Sequence, residues 1–298
     1  MLAQELFFSK FDLTTQDKPN TFVINERNQK IYYRKTFPPI PKSFILFLHG
    51  YASNTNRPHH KFMAEELNKK SIGLLTLDFV GHGYSDGERT VIESYEYLLN
   101  DIQLVLELIL KEYLIPFYIL GHSMGGGIAI ILSDYIWNNK INIARSLYRS
   151  TILIAPLIHT SIPKFLHKII FKLADHFPLK SFPFIDLFNN TINKKIWNND
   201  AFIDYIENDK LTTNNLSYFI SIKTLIKITY HIEQIVENIC FPFIIIHDEF
   251  DEIVPFSGSE YFYNKSKTKD KKIFKIIDGL HDPIVNKIDD ILKIIFLS

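Results

Sequence analysis

The chain has 298 residues, 46% hydrophobic and 22% charged, enough apolar material for one large core and too little polar bias for disorder. Its 33 basic and 33 acidic residues cancel, so no overall field draws it to nucleic acid, and no nucleic-acid partner is expected. A single cysteine, Cys240, excludes an internal disulfide framework and, placed just before the apolar run Phe241 to Ile246, reads as a buried thiol.

Two β-rich runs, Thr21 to Asn25 and Ile31 to Thr36, flank a polar turn and predict an antiparallel hairpin. Beyond Pro39 and Pro41, Phe44 to Leu48 is continuously apolar, as a strand covered on both faces should be. Further buried strands read at Gly73 to Leu77, Phe117 to Leu120, Thr151 to Ile154, Phe243 to Ile246 and Ile273 to Ile277. Helical patterns lie between them, the longest from Glu93 to Tyr113 and the last from Pro283 towards the C-terminus. This alternation predicts a mostly parallel central sheet flanked by helices.

The alternation lapses from about Leu157 to Glu237, which reads as helical or irregular without a buried strand. An insertion there, before the last two strands, predicts a helical cap over the strands' C-terminal edge, where such sheets bind ligands. The core of a single domain is then about 20–156 and 238–298. Within the cap, Ser161 is expected to cap a helix with Pro163 in its first turn and Pro178 beyond its end. Ile162, Phe165, Leu166, Ile169, Ile170, Leu173 and Ala174 share one face, with Lys164, His167, Lys168 and Lys172 on the other. Two readings stay open: a lid helix packed on the core, or a basic amphipathic helix resting on a membrane surface. No uncharged apolar run reaches the roughly 18 residues of a membrane span, and Glu5 interrupts any leader-like run. A cytoplasmic protein is expected, peripheral on membranes if the cap helix is interfacial.

The sharpest motif is Gly121-His122-Ser123-Met124-Gly125-Gly126, directly after one strand and at the start of a helix. This is the pattern of the nucleophile elbow of α/β-hydrolase folds, whose tight turn lifts a serine hydroxyl above the sheet. A serine needs a base oriented by a third group, and on this fold the order is serine, acid, histidine. His281 is the one histidine beyond the last strand. Asp248, Glu249 and Asp251 share the loop after Phe243 to Ile246; Asp251 is favoured as the acid, with Asp248 next. The backbone N–H groups of Met124 and Tyr51 are the candidate oxyanion donors, with His49 bracing the Tyr51 loop. His59 and His60 read as solvated or helix-capping, since no third ligand at metal spacing accompanies them. His82 and His122 are expected to pack or hydrogen-bond near the site, and Lys265 to Lys272 to form a solvated loop.

His49-Gly50, Gly81-His82-Gly83-Tyr84-Ser85-Asp86-Gly87-Glu88-Arg89 and the Gly121 to Gly126 motif together resemble the monoacylglycerol lipase and lysophospholipase group. The resemblance runs from about Phe22 to the last helix and, in the cap, holds only around Trp197 to Thr212. It implies an α/β-hydrolase with Ser123, Asp251 and His281 as triad, Tyr51 and Met124 as oxyanion amides, and no metal or organic cofactor. Asp248 stands where the group usually has glycine, and Tyr51 is bulkier than the small residue of some members. The implied activity is cleavage of a single-chain lipid ester, monoacylglycerol or lysophospholipid. Alternatives are a general carboxylesterase, thioesterase or acyltransferase, or a non-catalytic fold that binds a lipid or partner. Some of the cap aromatics Phe165, Phe171, Phe177, Phe182, Phe184 and Phe188 are expected to line the pocket.

Overall fold

The structure is a computed structural model that describes residues 18–139, 143–176, 183–185, 190–212 and 217–297. The first strands are β1 (Thr21–Ile24), β2 (Lys30–Thr36), β3 (Ser43–Leu48) and β4 (Ile72–Leu77). They are followed by β5 (Phe117–His122), β6 (Tyr148–Ile154), β9 (Phe243–Asp248) and β10 (Lys271–Ile276). The eight form one sheet in the order β1-β2-β4-β3-β5-β6-β9-β10. β1 and β2 form the expected hairpin and β2 runs antiparallel to β4, whereas every other pairing is parallel. The fold class read from the alternation is therefore the one observed.

The runs without alternation become the central strands because both of their faces are covered. Phe44, Leu46 and Leu48 of β3 enter one core cluster; Ile45 and Phe47 enter another on the opposite face. The first cluster is closed by α2 (Tyr95–Glu112) and α3 (Met124–Asn138), the second by α1 (Pro58–Asn68) and the C-terminal α11 (Ile288–Leu297). α4 (Ile143–Leu147) leads into β6, and α9 (Phe256–Lys265) joins β9 to β10. The C-terminal helical pattern is broken: α10 (Pro283–Asn286) precedes α11, its cap Asp282 accepting from the Val285 N–H.

Between β6 and β9 lie α5 (Lys164–His176), β7 (Pro183–Ile185), α6 (Asn190–Ile196), α7 (Asp200–Asn208), β8 (Ser217–Tyr218) and α8 (Phe219–Ile235). β7 and β8 pair antiparallel outside the main sheet, an addition to the helical or irregular reading of this interval; at three and two residues they are too short to show a period. Ser161 does not cap α5, because the helix begins at Lys164 and the Ser161 hydroxyl donates to the Ile253 carbonyl. Leu166 and Ile170 pack on Phe219, Ile222 and Ile226 of α8. Phe165 and Ile169 point outward, 73% and 54% exposed, so the apolar stripe of α5 is split between core and solvent. His167 is buried rather than on the polar face, bonded to the Tyr230 hydroxyl and the Ile162 carbonyl. Phe177, Phe182 and Phe188 lie outside the described residues, as does the side chain of Phe184.

Three other expectations are corrected. Cys240 is exposed, its neighbour Phe241 taking the core position. The Lys265 to Lys272 run is no loop throughout: Lys265 ends α9, Lys271 opens β10, and Ser266 and Thr268 between them are buried. His59 and His60 are buried in the first turn of α1, the His60 ring against Phe47 and the His59 ring against Phe202. No helix among the described residues is long and apolar enough to cross a membrane.

Candidate active site

Ser123 follows β5 and precedes α3 with φ +55° and ψ −120°, a left-handed conformation that costs a non-glycine residue about 1–3 kcal/mol. Its flanking glycines permit the turn by close approach. A side-chain carbon on Gly121 would sit 2.3 Å from the Gly125 carbonyl oxygen, and one on Gly125 would sit 2.1 Å from that of Leu48. The Ser123 carbonyl accepts from the N–H groups of Gly126, Gly127 and Leu157, which fixes the bend. The serine hydroxyl is thereby presented at the C-terminal edge of the sheet.

The loops after β9 and β10 bring two more groups to that edge. His281 Nε2 lies 2.8 Å from Ser123 Oγ, and His281 Nδ1 lies 2.7 Å from Asp251 Oδ2. The network assigns the proton on Nδ1, leaving Nε2 to accept from the serine. Burial alone would push the Asp251 carboxyl up, but the imidazoles of His281 and His247 beside it hold it well below the usual carboxylate range. Asp251 Oδ1 accepts from the N–H groups of Ile253 and Val254.

Asp248 meets backbone instead of imidazole. Its Oδ2 accepts from the N–H groups of Gly279 and Leu280, the two residues before His281, and its Oδ1 from Phe250. Leu280 and Asp278 both have positive φ, so this carboxylate holds a bent loop in register with the sheet. His247, at the end of β9 and fully buried, was not singled out by the sequence. Its Nε2 lies 3.0 Å from Asp251 Oδ2 and its Nδ1 2.8 Å from Ser259 Oγ. The i, i+4 spacing to Asp251 is the one signal that could have found it.

Tyr51 and Met124 border the same space as Ser123. Met124 opens α3, so its N–H has no carbonyl one turn earlier to bond. Gly50 abuts the serine: a side-chain carbon there would lie 3.2 Å from Ser123 Cβ. His49 accepts from the Phe79 N–H through Nε2 and donates from Nδ1 to the Gly50 carbonyl, which braces this loop as expected. The Tyr51 hydroxyl donates to the Thr90 carbonyl, so its ring is held in place. His122 donates to the His281 carbonyl, and His82 to that of Val80. Burial lowers the proton affinity of His122 and brings His82 to about 4.

Ser123, His281, Tyr51 and Met124 open on a cavity of about 270 Å³. Its apolar wall includes Leu157, Ile196, Ile226 and Val254, with Trp197 from the insert between β6 and β9. None of the expected cap phenylalanines is among its described lining; aliphatic side chains take their place, and the Phe171 ring packs towards Tyr230 instead. Its polar lining includes Arg57 and Asp282, the Trp197 indole donating to Asp282 Oδ2 and the Arg57 guanidinium buried within the field of Asp282 and Asp209. Arg57 and Asp282 also escaped the sequence reading, although Asp282 directly follows His281.

Comparison with known proteins agrees with this architecture. Human monoglyceride lipase is 24% identical over 293 residues, covering 94% of this chain and 88% of that protein. The monoacylglycerol lipase of Mycolicibacterium smegmatis is 22% identical, covering 83% of each. Among solved structures, a soluble variant of the Saccharomyces cerevisiae monoglyceride lipase in complex with a substrate analogue superposes with a TM-score of 0.74 at 20% identity, over 95% of this chain and 96% of that one. The Paleococcus ferrophilus monoacylglycerol lipase gives 0.68 at 20% identity, over 86% and 96%. The resemblance carried by the three motifs thus extends over most of the chain, and the fold is that of the α/β hydrolases. The pattern of the Hydrolase_4 family, described as serine aminopeptidase S33, matches residues 39–287, and the chain belongs to that family of hydrolases.

Proposed function

We propose that the protein cleaves the acyl ester of a single-chain lipid, monoacylglycerol or lysophospholipid, through an acyl-enzyme on Ser123. The observation that carries this reading is the hydrogen-bonded line Ser123–His281–Asp251 at the mouth of an apolar cavity. Ser123 Oγ attacks the acyl carbonyl as His281 Nε2 takes its proton, and the Tyr51 and Met124 N–H groups receive the developing oxyanion. His281 returns the proton to the leaving alcohol. Water, deprotonated by the same imidazole, then cleaves the acyl-enzyme and restores the serine. Asp251 orients His281 and stabilises its imidazolium.

The insert from about Leu157 to Glu237 acts in this reading as a cap over the cavity. Arg57 and Asp282 would face the polar head group, and the aliphatic wall the acyl chain. Phe165 and Ile169, exposed beside Lys164 and Lys168, give the cap an apolar tip with cationic flanks suited to a lipid surface. A second reading, a carboxylesterase for shorter esters, draws on the cavity volume, which is just under the usual range of roughly 300–1,000 Å³ for ligand pockets.

A fluorophosphonate probe and an acyl-length series test the proposal together. The probe labels the wild type and not Ser123→Ala; equal labelling of both would refute the nucleophile. With single-chain esters below their critical micelle concentrations, each buried methylene adds about 0.8 kcal/mol, or roughly fourfold in kcat/KM, until the cavity is full. A steady fall beyond butyrate selects the carboxylesterase.

A further inference from the structure

The line of hydrogen bonds does not end at Asp251. Asp251 Oδ2 faces two imidazoles, His281 Nδ1 at 2.7 Å and His247 Nε2 at 3.0 Å, while Oδ1 takes two backbone N–H groups. All four acceptor positions of the carboxylate are thus engaged. The Ser259 hydroxyl from α9 donates to His247 Nδ1, which fixes the tautomer that carries its proton on Nε2. A histidine that merely filled the core would need partners for its two nitrogens, but not the very oxygen that orients the base.

We infer that His247, held by Ser259, is a positioning residue of the reaction: it shares the Asp251 carboxylate with His281 and sets the pH at which His281 takes up a proton. The inference rests on the proposed roles of Ser123, His281 and Asp251. A second donor on Oδ2 draws electron density from the bond to His281, so the imidazolium is less stabilised than beside a carboxylate with one donor. It also stops the carboxylate from rotating about its last bond. The other titratable groups around His281 are His122, its ring 5.3 Å away, and Asp282, with Arg57 beyond them. Around His247 the charged neighbour is Lys275, its register partner on β10, which is engaged by Glu249 and Glu260. None of these groups bonds Asp251 Oδ2.

The test is the pH dependence of kcat and kcat/KM for a soluble p-nitrophenyl ester, with fluorophosphonate labelling, in the wild type, His247→Phe, His247→Gln and Ser259→Ala. In His247→Phe the acid limb moves up by roughly one pH unit, the size of one hydrogen bond to a charged group, and kcat falls roughly tenfold with KM unchanged. His247→Gln, whose amide N–H reaches the same oxygen, returns the limb to within about 0.3 unit. Ser259→Ala moves it part of the way and decides alone if His247→Phe does not fold. A wild type that labels at Ser123 while the folded variants give superimposable pH profiles overturns the inference and leaves the function standing. A wild type that neither labels nor hydrolyses overturns the function and the inference with it.

Discussion

Lowering the pH from 7.5 to 5.0 should remove about 4 kcal/mol of folding stability through two buried histidines alone. Burial brings the His60 imidazole down to about 3 and that of His82 to about 4, against roughly 6.5 in an unfolded chain. The folded values are depressed, so the unfolded chain binds the extra protons. The stability these groups contribute is complete above about pH 6.5 and is lost as the pH falls towards the folded values. At pH 5.0 each group has lost about 2 kcal/mol, since one unit is worth about 1.4 kcal/mol. His49 and His59, also lowered by burial and by neighbouring imidazoles, act in the same direction. Asp78, whose carboxyl is raised by burial, acts in the opposite sense as it takes its proton. Against a total of about 5–15 kcal/mol, such a loss is large. Urea unfolding at pH 7.5 and 5.0, followed by tryptophan fluorescence, measures it as a drop in midpoint at constant m-value. His82→Gln should flatten the dependence by about 1.4 kcal/mol per pH unit between pH 6 and 5. A stability unchanged between the two pH values would mean that these imidazoles are not shielded from solvent, and would refute the burial that places them.

Two further predictions separate neighbours that the sequence leaves together. Asp251→Asn should lower the esterase rate by about 10⁴, because the imidazole loses its orienting carboxylate. Asp248→Asn, which keeps one oxygen for the Gly279 and Leu280 amides, should cost far less; rates ranked in the reverse order would exchange the two roles. Replacing exposed Phe165 and Ile169 by serine should change stability by no more than about 0.5 kcal/mol yet weaken binding to anionic lipid vesicles in a flotation assay. Wild-type protein that stays with the soluble fraction would end the interfacial reading.

The central strands and the serine turn were legible because their constraints are local. A strand buried on both faces must be apolar throughout, as Phe44 to Leu48 is, and a turn as tight as that at Ser123 excludes side chains at Gly121 and Gly125. The preference for Asp251 over Asp248 came from loop position and resemblance; the geometry that separates them, imidazoles against backbone amides, depends on how the loops after β9 and β10 meet. What stayed hidden was created by contacts distant in sequence. His59 and His60 look like helix-start polar residues until α7 brings Phe202 against the first and β3 brings Phe47 against the second. Residues Ile162 to Ala174 carry one apolar stripe, but α8 covers only Leu166, Ile170 and their nearest neighbours and leaves Phe165 and Ile169 outside. Cavity lining follows the same logic: the aliphatic residues of four separate segments, around Leu157, Ile196, Ile226 and Val254, meet beside Ser123, and no single window of sequence contains them.

The carbonyl of Ser123 accepts the N–H of Leu157, the first residue past the β6 turn, while the Ser123 N–H donates to the carbonyl of Ile154 on that strand. The root of the insert is therefore hydrogen-bonded to the peptide groups on both sides of Ser123. A segment rooted in this way cannot move at its first residue without pulling on Ser123, so any motion of the insert that leaves the serine in place must pivot farther along the chain. The same pair of bonds gives a mechanical reason for Leu157 to line the cavity that Ser123 borders. Strain applied at Leu157 reaches the backbone that carries the Ser123 hydroxyl directly, through its hydrogen bond to the Ser123 carbonyl.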